Sequence, residues 1–197
     1  MKAFLIYRKH LRYAALLIGL MMLQPATASV QQPPDPKLRS LLIEAVNNSD
    51  SFEDRFDAEV WLTDMSHRME SKVKDTGERL DLLRIIHYEA TRAKLPPELV
   101  LAVIEVESDF DRWAISESGA QGLMQVMPFW LKEIGRPNDN LQQPKTNLRL
   151  GCTILRYYLD LENGDLTRGL ARYNGSPGKA GYSNKVIDAL RFHWFRR

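Results

Sequence analysis

From Lys37 onward, apolar residues recur at intervals of three and four, the spacing of one face of an α-helix. Leu38, Leu41, Leu42 and Ala45 form a first such stripe within Lys37–Asn48. Ser51-x-x-Asp54 is a capping signal that predicts the opening of a longer helix, with Phe52, Phe56, Val60 and Trp61 on one side. Thr76-Gly77 separates it from a third pattern, in which Leu80, Leu83, Ile86 and Ala90 share a face. That pattern stops at Leu95-Pro96-Pro97, because proline suits the first turn of a helix and not its interior. No stretch alternates at period two for long enough to make a strand, and no repeat of 20–50 residues is visible. The expected fold class is mainly α.

The segment Glu98–Ser108 is apolar on nearly every side, as a core helix is. Two carboxylates stand near its end. Glu105 lies seven residues after Glu98, so these two share a stripe that is expected to face water. Glu107 sits about 200° around the helix from Glu105, at ~100° per residue, and stacks over Val100, Val103 and Ile104. A carboxyl on an apolar stripe loses hydration, so its pKa rises and it holds a proton near neutrality, as a general acid must. The alternative is a helix-end glutamate that bends out to solvent or pairs with an arginine.

Composition changes the picture mainly at the N-terminus. Of 197 residues, 44% are apolar and 26% charged, the balance of an ordinary globular chain rather than a disordered or fibrous one. Residues 1–28 carry Lys2, Arg8, Lys9 and Arg12 with no acid, then an apolar run from Tyr13 to Leu23 and Ala26-Thr27-Ala28. That is the layout of a secretory signal peptide; the apolar run is short of the ~20 residues a bilayer span needs. Its removal leaves 23 basic against 25 acidic residues, a net charge of −2, so the basic footprint of a nucleic-acid binder is absent. Gln31-Gln32-Pro33-Pro34-Asp35-Pro36 reads as an extended linker. The expected organisation is a signal peptide over 1–28, a proline-rich linker over 29–36, a helical extension over 37–79 and a second domain over 80–197.

The single cysteine, Cys152, excludes an intrachain disulfide and sits among Leu150, Ile154 and Leu155 as a buried small side chain. His67, His87 and His193 show no metal-ligand spacing, and no glycine-rich phosphate loop is present, so neither a metal nor another cofactor is expected. The closing His193-Trp194-Phe195-Arg196-Arg197 is either a basic anchor or a set of cations favoured at a helix C-terminus.

Beyond Glu107, Gly119-Ala120-Gln121-Gly122 is too rich in glycine for a helix interior and leads into Leu123-Met124-Gln125-Val126-Met127-Pro128. Glu107-Ser108 followed by Ser116-x-x-Gly119-Ala120-x-Gly122-Leu123-Met124-Gln125-x-Met127-Pro128 resembles the signature of the SLT-type lytic transglycosylases, lysozyme-like enzymes of bacterial peptidoglycan. Pro144-x-x-Asn147, then Tyr157-Tyr158-Leu159, Ala171-Arg172-Tyr173-Asn174 and Tyr182-x-x-Lys185-Val186 extend the resemblance across about residues 80–195. One departure is visible: Gly175-Ser176-Pro177-Gly178 stands where the family usually continues with Ala-Gly.

The resemblance implies a lysozyme-like catalytic domain in which Glu107 alone is the acid and then the base. It would protonate the glycosidic oxygen between N-acetylmuramic acid and N-acetylglucosamine, then accept the C6 hydroxyl proton as a 1,6-anhydro ring closes. By the same resemblance Tyr173 would hydrogen-bond and orient the Glu107 carboxyl, Ser116 and Gln125 would contact sugar or that carboxyl, and Met127 would line the cleft. Tyr182 is a groove candidate, and Asn174 binds sugar or caps its own turn. A hydrolytic muramidase would need Asp109 or Asp111 to hold water; a silent peptidoglycan-binding module would need neither. The implied ligand is a glycan strand and the implied site of action the periplasm. The extension over 37–79 could recruit a cell-envelope or secretion-machine protein, and a monomer is expected.

Overall fold

A computed structural model describes residues 51–195. The expected signal peptide, the linker and the stripe at Lys37–Asn48 lie outside the described residues. Seven α-helices follow one another there: α1 (Arg55–Arg68), α2 (Thr76–Arg92), α3 (Pro97–Ser108), α4 (Trp130–Ile134), α5 (Pro144–Leu161), α6 (Leu166–Tyr173) and α7 (Gly181–Ala189). A π-helical turn, Leu190–Trp194, closes the chain. The mainly helical expectation holds among the described residues, where the only β pairing is two isolated bridges, Ile115 to Gln121 and Gln121 to Val126.

Helix α3 is the axle. It starts on Pro97 at its first turn, as the proline pair predicted, and Leu99 through Ile104 are all buried. A helix buried on every side needs neighbours on every side. Helices α2 and α7 and the π-helical turn all pack against it. Leu80, Leu83, Ile86 and Ala90 of α2 are buried as their spacing predicted. Thr76-Gly77 does not separate two helices: it forms the first turn of α2, whose cap is Asp75, accepting from the Glu78 amide at 2.8 Å. The expected division at residues 79–80 therefore falls inside a helix.

Helix α1 differs from expectation in its phase. Its cap is Asp54, which accepts from the Asp57 amide at 2.9 Å, so the helix begins three residues later than Ser51 implied. Ser51 instead pairs its hydroxyl with His87 Nδ1 at 2.8 Å. The buried face is Ala58, Trp61, Leu62 and Met65, while Phe56 is 73% exposed and Val60 is exposed as well. The reason lies at Trp61. Its indole N–H donates to Glu98 on α3 at 2.9 Å, and Phe56, five residues back, is then turned ~140° away.

The Glu98–Glu105 stripe does not face water. Glu98 is taken by Trp61, and Glu105 accepts from Trp194 Nε1 at 2.6 Å and faces His193 Nδ1 at 2.9 Å. Two buried indoles each need an acceptor, and the two carboxylates supply them. Trp194 is thereby seated on α3, while Phe192 and Phe195 are exposed; Arg196 and Arg197 lie outside the described residues.

Candidate active site

Glu107 occupies the last turn of α3, and the chain leaves that helix abruptly. Asp109 and Phe110 both hold left-handed backbone, at φ 50° and 67°. Such a conformation is unusual for a bulky residue, and it persists where packing over-determines it. Phe110 is buried with its ring 5.5 Å from that of Trp194, and Asp109 forms an ion pair with Lys72. Ser108 donates its hydroxyl to the Leu123 carbonyl at 2.8 Å, tying the end of α3 to the glycine-rich loop.

That loop is held from α5 by one buried side chain. Asn147 donates through Nδ2 to the carbonyls of Gln121 (2.8 Å) and Leu141 (2.9 Å), and accepts through Oδ1 from the Met124 amide (2.8 Å). Gly122 stands at φ 72°, where a Cβ would come within 2.5 Å of both Asn147 Nδ2 and the Leu141 carbonyl oxygen. Only glycine meets both conditions. The Met124 carbonyl takes the Tyr173 hydroxyl at 2.7 Å, so this residue is held through both its amide and its carbonyl.

A cleft of about 380 Å³ opens between this loop, α5 and α6. Glu107, Ser116, Gln125, Met127, Tyr173 and Asn174 all line it, so six of the residues singled out from the sequence meet at one place. Trp130, Ile154 and Tyr158 supply apolar and aromatic wall. Ser116 Oγ accepts from the Ala120 amide and lies 3.0 Å from Ser118 Oγ. Gln125 spends its amide donors on the carbonyls of Gly122 (3.0 Å) and Ala114 (3.2 Å), so what it offers the cleft is its Oε1 acceptor. Asn174 ends α6 and donates to Ser176 Oγ at 3.0 Å, inside the Gly175-Ser176 turn that departs from the family pattern.

Tyr182 does not line the cleft. It lies on the first turn of α7, largely buried behind the carboxyl, and its hydroxyl donates to Glu107 Oε1 at 2.7 Å. The hydroxyl bonded to Glu107 is thus that of Tyr182, where the resemblance implied Tyr173; the single proton of the Tyr173 hydroxyl goes to the Met124 carbonyl. Burial and the nearby Glu107 carboxylate push both tyrosines well above the ordinary phenol range, so both remain donors across the physiological range.

Burial pushes Glu107 up to about 7, against the pull of the Tyr182 hydroxyl, which favours the ionised form. Such a carboxyl is both a usable acid and a usable base near neutrality. Among the described residues it has no carboxylate partner across the cleft: Asp109 is exposed and paired with Lys72, and Asp111 accepts from the Trp113 amide at 2.8 Å. Neither lines the cleft. Cys152 is fully buried against the Met124 sulfur, and burial pushes its thiol up, which suits a packing role.

Removing the Tyr182 hydroxyl has an expected consequence for pH dependence. Tyr182→Phe leaves the Glu107 carboxylate without its donor, so the pKa rises further. A hydrogen bond to a charged group contributes ~1.5–3 kcal/mol, and the rise is about one unit or more. The titration midpoint of Glu107, followed by carboxyl NMR, is expected to move up by that amount. A midpoint that stays in place or moves down contradicts this arrangement.

Asn147 and the wall residues Trp130 and Tyr158 were not singled out as site residues from the sequence. Asn147 had a readable signal: it shares the stripe of Leu150, Gly151 and Ile154, all buried, and an amide on an apolar stripe must bond to something.

The family described as Transglycosylase SLT domain matches residues 84–188, just over half of the chain. A transglycosylase of Enterobacteria phage PRD1 is 36% identical over 92 residues, which are 47% of this chain and 34% of that protein. Membrane-bound lytic murein transglycosylase C of Haemophilus ducreyi is 33% identical over 128 residues, 58% of this chain and 35% of the relative. The crystal structure of the 70 kDa soluble lytic transglycosylase of Escherichia coli aligns with a TM-score of 0.45 and 18% identity, covering 79% of this chain and 32% of that one. The chain spans about a third of the length of each of these proteins.

Proposed function

The chain belongs to the transglycosylase SLT family, and on that premise we propose that it is a peptidoglycan lytic transglycosylase using Glu107 first as acid and then as base. Protonated Glu107 gives its proton to the glycosidic oxygen linking N-acetylmuramic acid to N-acetylglucosamine. Positive charge develops at the muramic anomeric carbon, where the substrate's own N-acetyl group assists. The ionised carboxylate then takes the proton of the muramic C6 hydroxyl, whose oxygen closes the 1,6-anhydro ring. The proton count balances, no water is consumed, and Glu107 returns to its starting state. Substrate assistance of this kind is a recognised exception to the two-carboxylate scheme.

One observation carries the reading: a buried carboxyl with its pKa raised to about 7, held by the Tyr182 hydroxyl, at the edge of a cleft with no second carboxylate among the described residues that line it. A hydrolytic muramidase would need a group there to hold an attacking water, and Asp109 and Asp111 are both engaged elsewhere. In this reading Gln125 and Asn174 hydrogen-bond the sugars, Ser116 supplies a hydroxyl beside them, and Met127 packs on a ring face. The basic, apolar and small-residue layout of residues 1–28 supports export to the periplasm, where the glycan substrate lies. No helix among the described residues is long and apolar enough to cross a membrane.

The test is reducing-end titration while purified sacculi are dissolved. Ring closure releases glycan without new reducing ends, whereas hydrolysis produces one per bond cut. Solubilisation with a flat reducing-end signal is expected; a proportional rise makes the protein a muramidase, and no solubilisation favours a silent binding module.

A further inference from the structure

The described residues that line the cleft include one acid, Glu107, and one cation, Arg172, which sits in the last turn of α6 beside Tyr173 and Asn174. Its side chain is anchored on one edge. Nε donates to Glu162, the cap residue of α5, whose carboxylate is only 10% exposed and also receives Arg168 at 3.1 Å. Anchoring through Nε restrains the guanidinium and leaves its two terminal nitrogens with no partner among the described residues, on a residue that lines the cleft. Charge balance at Glu162 does not require this, because Arg168 already pairs with it.

The proposed substrate narrows what such a group could bind. The rings of the alternating strand carry hydroxyls and acetamides, all neutral. Carboxyl groups occur only on the lactyl arm at C3 of the muramic residues, either as its own carboxylate when no peptide is attached or as those of the stem peptide. A guanidinium with two free nitrogens in one plane matches a carboxylate in fork geometry. We propose that Arg172 binds the carboxylate borne by the lactyl arm of a muramic residue, and so selects which sugar of the alternating strand lies on the α6 side of Glu107. The inference rests on the peptidoglycan reading above and adds a specificity determinant to it.

The experiment measures affinity, so it does not depend on turnover. The full chain carrying Glu107→Gln is titrated by calorimetry with three ligands of equal length. These are a peptide-free muramyl oligomer, the same oligomer with stem peptides, and a chitooligosaccharide without carboxylates. Adding Arg172→Gln is expected to raise Kd by about ten-fold or more for a carboxylate-bearing ligand, against less than about three-fold for the chitooligosaccharide. Loss confined to the peptide-free oligomer assigns the lactyl carboxylate; loss confined to the peptide-bearing one assigns the stem. Arg172→Lys, which keeps the charge without the fork, is expected to recover part of the loss. Equal weakening of all three ligands, or none for either muramyl ligand, overturns the assignment to Arg172 alone. Failure of the Arg172-containing protein to bind any muramyl ligand overturns the peptidoglycan reading and the inference with it.

Discussion

Replacing Glu107 with glutamine is expected to lower turnover on peptidoglycan by about 10⁴-fold or more, because one group supplies both proton transfers. A positioned acid or base contributes ~10²–10⁴-fold to a single step, and among the described residues no second carboxylate lines the cleft to take over either role. The amide is nearly isosteric and can still accept from the Tyr182 hydroxyl, so the fold is retained. Stability provides an independent check. The native pKa is raised from 4.5 to about 7, so the folded state binds the proton more tightly than the unfolded state. The native protein is therefore stabilised below the unfolded value and loses that contribution as pH climbs through about 7. At pH 8 the wild type holds a buried carboxylate that Glu107→Gln lacks. The variant is expected to be more stable there by on the order of 2–3 kcal/mol, with the difference vanishing below about pH 4.5. Denaturant midpoints at pH 4.5 and pH 8 read this directly. An inactive variant that is less stable at pH 8 would mean that the glutamate is structural.

The second large effect is expected at Asn147, which never touches the reacting bond. Asn147→Ala removes three hydrogen bonds at once and leaves the Leu141 carbonyl and the Met124 amide without a partner, while the Gln121 carbonyl keeps the Val126 amide. Each buried polar group left unsatisfied costs about 1–3 kcal/mol, so the two together with the lost third bond cost about 3 kcal/mol or more, before relaxation. In a chain of this size that lowers Tm by roughly 6–12 °C. Catalysis should fall even at temperatures where the variant is folded, since the loop that Asn147 holds carries Gln125 and Met127 into the cleft. Leucine at 147 would fill the space and satisfy none of the three groups, and is expected to be no better than alanine. A variant with wild-type Tm and activity would show that the glycine-rich loop is held by other means.

Much of this site was legible in the linear chain because helical periodicity is a local property. Rotation by ~100° per residue puts Glu107 over Val100, Val103 and Ile104, and those three are buried. From that alone the desolvation of the carboxyl, and the direction of its pKa, can be read. The motif residues Ser116, Gln125, Met127, Tyr173 and Asn174 do converge on one cleft with it. What the chain did not disclose was which tyrosine reaches the carboxyl. Tyr173 and Tyr182 lie nine residues apart on different helices, and their directions depend on how α6 and α7 are set against each other. The setting of α6 is fixed in turn by α5, on which it rests closely at Gly169, where a Cβ would lie 2.6 Å from Leu159 Cδ2 and 3.1 Å from Leu159 Cα. The phase of α1 was hidden for a similar reason. Phe56 and Val60 are as apolar as Leu62 and Met65, and only the bond from Trp61 to Glu98, 37 residues away, selects the buried face. Glu105 misled because an acidic residue at helical spacing reads as a solvated one, whereas here it is the acceptor that Trp194 requires.

The central claim is that Glu107 closes a ring rather than activating water. Mass spectrometry of the fragments released from purified peptidoglycan, with Glu107→Gln run in parallel, tests it most directly. Ring closure yields 1,6-anhydromuramic ends, lighter by one water than reducing ends, and these are expected from the wild type and not from the variant. Reducing ends from the wild type would contradict it, and would require a water-holding group that Asp109 and Asp111, as they stand, do not supply.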